Sequence, residues 1–182
     1  VPQLALSEAA TAIAHMGEIA LRNVKRSYNL IDNYDDGRIT VINDNEDNID
    51  MFTDSMDNYL LELSRFIETE HDNHRINTLM QTSTNFERVG DHATNIMEVA
   101  QDINSGKTEF SKIARTEIEL VKDAVFEITE VTIESFKKMD NELARKVEPL
   151  EEVIDEMVIE LKNRHIERLK QGTCTVANGL SF

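Results

Sequence analysis

The chain has 182 residues, enough for one domain or two small ones with a sizeable core. Its 19 Lys and Arg against 35 Asp and Glu leave a net charge of −16, which speaks against phosphate-backbone binding of nucleic acid and against adhesion to anionic lipid. The single Cys174 excludes an internal disulfide and suits a reducing cytoplasm, and no apolar run approaches the roughly 20 residues of a membrane span. No stretch of the sequence reads as a signal peptide, and a start at Val1 rather than Met suggests a piece cut from a longer chain.

With only two Pro and six Gly, the chain favours long helices. Residues 6–32 place Ile13, Met16, Ala20, Val24, Tyr28 and Ile31 at helical spacing, which predicts a first amphipathic helix. Asn33 to Thr40, NYDDGRIT, holds Gly37 among turn formers and reads as a connection. A second helix is expected from about Val41 to Glu68. Its heptad rows are Ile42, Ile49, Met56 and Leu63 beside Phe52, Tyr59 and Phe66. His71 to Arg75 breaks that pattern. A third helix then runs to about Asn104, with rows Leu79, Phe86, Ala93, Ala100 and Val89, Ile96, Ile103. This spacing is the one by which antiparallel bundle helices face one another.

Ser105 to Thr108 marks a boundary, and Gly106 suits a helix C-terminal cap. The pattern then restarts. A fourth helix is expected over about 109–139, with Ile113, Val121, Val125, Ile128 and Phe136. A fifth is expected over about 142–171, with Val147, Ile154, Leu161 and Leu150, Met157. An offset of 105 residues carries Ile42 to Val147, Ile49 to Ile154, Met56 to Leu161 and Met16 to Val121. Such self-similarity predicts a duplicated three-helix unit, residues 1–106 and 107–182. Pro149 has no counterpart in the first unit; it should start a helical segment or kink helix five near Arg145. The counterpart of the third helix is largely missing, and Thr173 to Phe182 can at most begin a sixth helix after Gly172. The expected fold is therefore all-α, tandem three-helix bundles with the second incomplete. Its groove would be filled by a longer natural chain or by another copy in a homo-oligomer.

The acids carry the functional signal. Glu46 and Asp50, Glu87 and Asp91, and Glu151 and Asp155 each stand one helical turn apart, and the third pair repeats the first at the 105-residue offset. Acids make up about a fifth of the chain, so chance alone gives roughly seven such i,i+4 pairs, and one pair by itself reads as a solvated face. Like charges at this spacing repel, however, and are mildly unfavourable without a cation. Glu87 and Asp91 also point away from the Phe86 and Val89 rows. Two such pairs on adjacent helices would supply an all-oxygen set for iron, zinc, manganese or magnesium.

The stretch FERVGDHATNIME resembles the signature of the PhoU family, and NEDNIDMF and LEEVIDEM resemble its second-helix acidic motif. The resemblance covers essentially the whole chain. It implies duplicated three-helix bundles whose E(D)xxxD motifs carry multinuclear metal clusters. It carries metal ligation onto Glu46, Asp50, Glu87 and Asp91 in the first unit, and onto Glu151 and Asp155 in the second, whose partner motif this chain lacks. The two ends, VPQLALSEAATAIAHMGEIA and LKQGTCTVANGLSF, are similar to the cytoplasmic tail of bacterial sodium-dependent phosphate cotransporters. That similarity implies an attached membrane domain and a place at the inner face of the cell membrane. A stand-alone regulator of the same family would instead meet a phosphate-transport ATPase and a sensor kinase.

Other features have plainer readings. His71 and His74 lie near an interhelix turn without cysteine partners and read as exposed loop histidines. Glu68 and His71 form a single ExxH, whereas di-iron bundles use two facing inward. His92 and Asn95 follow the third-helix acids, either supporting a ligand or lining a polar face. Gly90 in mid-helix either permits close helix approach or is tolerated. Cys174 has no base partner that would make it a nucleophile. No phosphate-binding glycine loop, Ser/His/Asp spacing or HExxH is present, so no enzyme is expected. The remaining classes are a metal-carrying regulatory module tied to phosphate transport or signalling, and a structural or oligomerising bundle.

Overall fold

The computed structural model describes residues 2–173. The chain divides into two units, Val1–Glu98 and Val99–Phe182.

The first unit is built from α1 (Pro2–Asp32), α2 (Asp36–Ser64) and the greater part of α3 (Glu70–Asn104). The connection between α1 and α2 is shorter than NYDDGRIT suggests. Asp35 caps α2, its Oδ1 accepting from the Gly37 and Arg38 backbone N–H groups at 2.7 and 3.4 Å, so the helix begins at Asp36. The next break falls at residues 65–69 rather than at His71 to Arg75. Thr69 Oγ1 accepts from Asp72 N at 3.1 Å, and α3 starts at Glu70, one residue before His71.

Two contacts with the same sequence offset set α1 parallel to α3. Gln3 Nε2 donates to Asp72 Oδ2 at 2.7 Å, and fourteen residues on, Gly17 lies against the Phe86 ring. α2 runs antiparallel to both. It meets α1 through Asn23 and Ile42 near one end and Met16 and Thr53 near the other, and meets α3 where Ile49 covers Gly90.

Leu6, Ile13, Met16, Ala20, Ile42, Ile49, Met56, Leu60, Leu79, Phe86 and Ala93 form the core of this unit. Of the expected row, Ile42, Ile49 and Met56 are buried and Leu63 is half-buried, but Phe52, Tyr59 and Phe66 are not its partners. The buried stripe of α2 continues through Thr53 and Leu60 instead. An α-helix of 3.6 residues per turn drifts off a strict heptad, and in the second row Phe52 is half-buried and Tyr59 exposed. Phe66 lies beyond the end of the helix and is 70% exposed.

The second unit contains the end of α3, then α4 (Lys112–Lys138), the single turn α5 (Asn141–Ala144) and α6 (Val147–Lys170). α3 stops in a Schellman arrangement around Gly106 at φ 75°. Gly106 N donates to Ile103 O and Lys107 N to Asp102 O. Ser111 caps α4 by accepting from Ala114 N at 3.1 Å. The expected fifth helix is in two pieces, interrupted at Arg145 and Lys146. Pro149 sits in the first turn of α6, where its missing N–H leaves no bond for the Arg145 carbonyl and the chain restarts. Glu117 of α4 is 5% exposed and receives both Arg168 Nη1 and Nη2 from α6, at 3.1 and 2.8 Å. α6 has no buried residue, and Ile113, Leu120, Val153, Ile159 and Ile166 are exposed. Cys174 and the rest of the stretch expected at most to begin a sixth helix lie outside the described residues.

Candidate metal centre

The acids of α2 form one strip. Glu46, Asp50, Asp54 and Asp57 succeed one another at steps of four, four and three, which keeps them on one helix face. Glu87 and Asp91 form the matching strip on α3. The two strips lie side by side because the helices approach closely at Gly90. A Cβ there would stand 3.2 Å from Ile49 Cδ1, so the glycine's bare backbone is what admits Ile49. Of the two readings of this mid-helix glycine, close approach is the one observed.

One carboxylate oxygen each from Glu46, Asp50 and Asp91 lies within 4.8 Å of the others. Glu46 is half-buried, while Asp50 and Asp91 are open to solvent. Burial pushes the Glu46 carboxyl above its ordinary range, and the charges of Asp50, Asp47 and Asp91 push it the same way. Asp50 is raised by burial, then by Asp91, Asp47 and Asp54. Glu87 stands outside the close trio but belongs to the same field. Burial raises it first, followed by Asp50, Asp91, Asp54 and Asp57. Burial, then Asp54, also raises Asp57. No Lys or Arg occurs between Arg38 and Arg65, so beyond Arg38 in its first turn α2 supplies no cation of its own to offset these charges.

The donor set fits a hard cation. All ligand atoms are oxygens, and opposite ligands at metal–oxygen bonds of about 2.0–2.5 Å stand roughly 4–5 Å apart, close to the spacing seen here. The buried oxygens Asp57 Oδ1, Ser83 Oγ and Thr94 Oγ1, all on α2 or α3, have no hydrogen-bond partner among the described residues. The open side leaves room for water to complete a coordination shell.

The other sequence-derived candidates fall apart from this cluster. Glu151 and Asp155 are both exposed on α6, and among the described residues no third carboxylate, histidine or cysteine gathers with them. The His71 side chain is exposed, 3.3 Å from Asp72 Oδ1, and α3 begins between Glu68 and His71. His92 and Asn95 are exposed. Asp54 and Asp57 join the strip although neither belongs to the three sequence-derived pairs. The signal that marks them is the continuation of the Glu46–Asp50 strip through a stretch without basic residues.

The family model described as the PhoU domain matches residues 13–100 and, a second time, residues 118–181. Neither the curated proteins nor the solved structures yield a match.

Proposed function

Since the chain belongs to the PhoU family of regulatory helical domains linked to phosphate transport and signalling, we propose that it is a cation-carrying module of that kind, with the α2–α3 acid strip as its cation site. Glu46, Asp50 and Asp91 would hold the ion, and Glu87 would share in neutralising it. The observation that carries this reading is the convergence of three carboxylate oxygens within 4.8 Å from two helices. A bound cation would offset the burial and the mutual repulsion that lift Glu46, Asp50 and Glu87 above their ordinary range, and would tie α2 to α3. Iron, zinc, manganese and magnesium all suit an all-oxygen set.

The finer setting follows the two chain ends. We read the domain as the cytoplasmic tail of a sodium-dependent phosphate cotransporter, acting on an attached membrane domain at the inner face of the membrane. Cation-dependent packing of α2 and α3 would be passed to that domain through α1. A stand-alone regulator facing a phosphate-transport ATPase and a sensor kinase is the nearest alternative. The exposed apolar side chains of α4 and α6 favour a further helix or a second copy against the second unit.

Metal content measured by mass spectrometry on protein purified without chelator or tag metal tests the site, beside the Asp50→Asn/Asp91→Asn variant. Metal retained by the parent and lost from the variant supports it. No metal in either after supply of iron, zinc, manganese and magnesium reduces the acids to a solvated face, and the domain to a structural bundle. Deleting the segment from its parent protein tests the coupling, since unchanged phosphate uptake and regulation would rule it out.

A further inference from the structure

The apolar stripe of α2 recurs at near-heptad intervals through Ile42, Ile49 and Met56, so apolar packing alone would accept more than one axial position of α2 against α1. One fully buried amide does not. Asn23 of α1 is 0% exposed; its Nδ2 donates to Ile42 O at 2.9 Å, and its Oδ1 accepts from Asn45 Nδ2 at 3.2 Å and Arg26 Nη1 at 3.1 Å. Ser27, also 0% exposed, donates its hydroxyl to the Asn23 carbonyl at 3.0 Å. A slide of α2 by one heptad, about 10 Å, would strand the amide's N–H end in the core and leave its oxygen with Arg26 alone.

The turn it grips is the one that carries Glu46. Ile42 O is the carbonyl that the Glu46 N–H uses in the helix, and Asn45 directly precedes Glu46. Of the other polar ties given by the described residues between these helices, Arg38 to Asn29 is exposed at the start of α2, and Thr53 Oγ1 to Met16 Sδ at 3.5 Å is a weak sulfur contact, so Asn23 makes the buried one.

We propose that Asn23 is a positioning residue for the carboxylate centre. It pins the axial register of α2 on α1 and thereby holds Glu46 and Asp50 level with Asp91. A buried polar side chain that specifies register rather than adding stability is the best-attested use of such groups. The proposal rests on the reading of the α2–α3 strip as a cation site, and its test separates the two.

The experiment uses the full chain with Cys174→Ser, nitroxide labels at the exposed Ser55 and Thr84, and manganese(II) as the probe. Asn23→Leu keeps similar bulk without the amide. The expected result is a melting temperature equal to or above the parent's, manganese affinity lowered about 10-fold to 100-fold, the range for losing a group that orients metal ligands, and a shifted or split label-to-label distance. Parent-like affinity together with a parent-like distance overturns the proposal. A moved distance in a chain whose parent binds no manganese keeps the register pin and removes the cation site. An unmoved distance in such a chain removes both. If Asn23→Leu does not fold, Asn45→Ala decides, because it removes one bond to the amide and leaves the Ile42 bond in place. A smaller loss of affinity with an altered distance supports the pin, and no change in either rejects it.

Discussion

A Cβ on Gly17 would lie 2.7 Å from Phe86 Cδ2 and 2.8 Å from Cε2, so α1 and α3 touch backbone to ring. Phe86 is buried and cannot swing out. Gly17→Ala should therefore destabilise the first unit, because overpacking of about 1–3 kcal/mol exceeds the ~1 kcal/mol that alanine gains in a helix. Gly90→Ala should come out near neutral, since its new methyl meets the movable end of Ile49 at 3.2 Å. Denaturant titration of both variants tests this ranking, and a Gly17→Ala protein as stable as the parent would refute it.

Glu117 and Arg168 form a two-pronged ion pair that is largely removed from water. Arg168→Met should cost about 3 kcal/mol, because among the described residues it leaves a buried carboxylate with Arg164 alone, at 3.9 Å, to answer it. The double variant Glu117→Leu/Arg168→Met should recover most of that loss. Amide exchange in α4 and α6 measures both; equal protection in the single and double variants would contradict the account.

Met139 ends α4 in the left-handed region, at φ 53°, with its side chain 64% exposed. A side chain in that region costs about 1–2 kcal/mol that glycine does not incur. Asp140 N to Ser135 O, at 2.9 Å, keeps the cap in place whatever stands at 139. Met139→Gly should raise the thermal midpoint, and a lower one would show that the exposed methionine makes a contact of greater worth.

The raised carboxyls Glu46, Asp50 and Glu87 make the metal-free chain sensitive to pH in a defined direction. Their folded values stand above the ordinary 3.8 for aspartate and 4.5 for glutamate. They therefore stabilise the fold below those ordinary values, and that contribution is lost as pH rises through the raised ones. In chelator, Glu46→Gln/Asp50→Asn should melt above the parent at pH 7, and the gap should close near pH 4. Added manganese should stabilise the parent and leave the variant unmoved. A variant that melts below the parent at pH 7 in chelator would overturn this.

The helices, their repeat and the acidic motifs were legible because a helix records its own solvent and core faces in one strand of sequence. Gly106 and Pro149 were legible for the same local reason, one by a positive φ and the other by a missing donor. The ends of α2 and α3 were less so. Asp35 and Thr69 accept from backbone N–H groups that the turn-forming composition around them disguises.

What the sequence by itself determined is an all-α duplicated chain with acids one turn apart on two of its helices, since side-chain spacing along a helix is fixed by backbone geometry. What only the tertiary structure decided is which acids meet. The close approaches at Gly17 and Gly90 and the buried amide of Asn23 set the height and rotation of one helix against the next. Those settings bring Glu46 and Asp50 to Asp91, leave Glu87 just outside the trio, and put Phe52 and Tyr59 outside the core. Periodicity fixes an angle about a helix's own axis; only contact between helices fixes where two such axes stand.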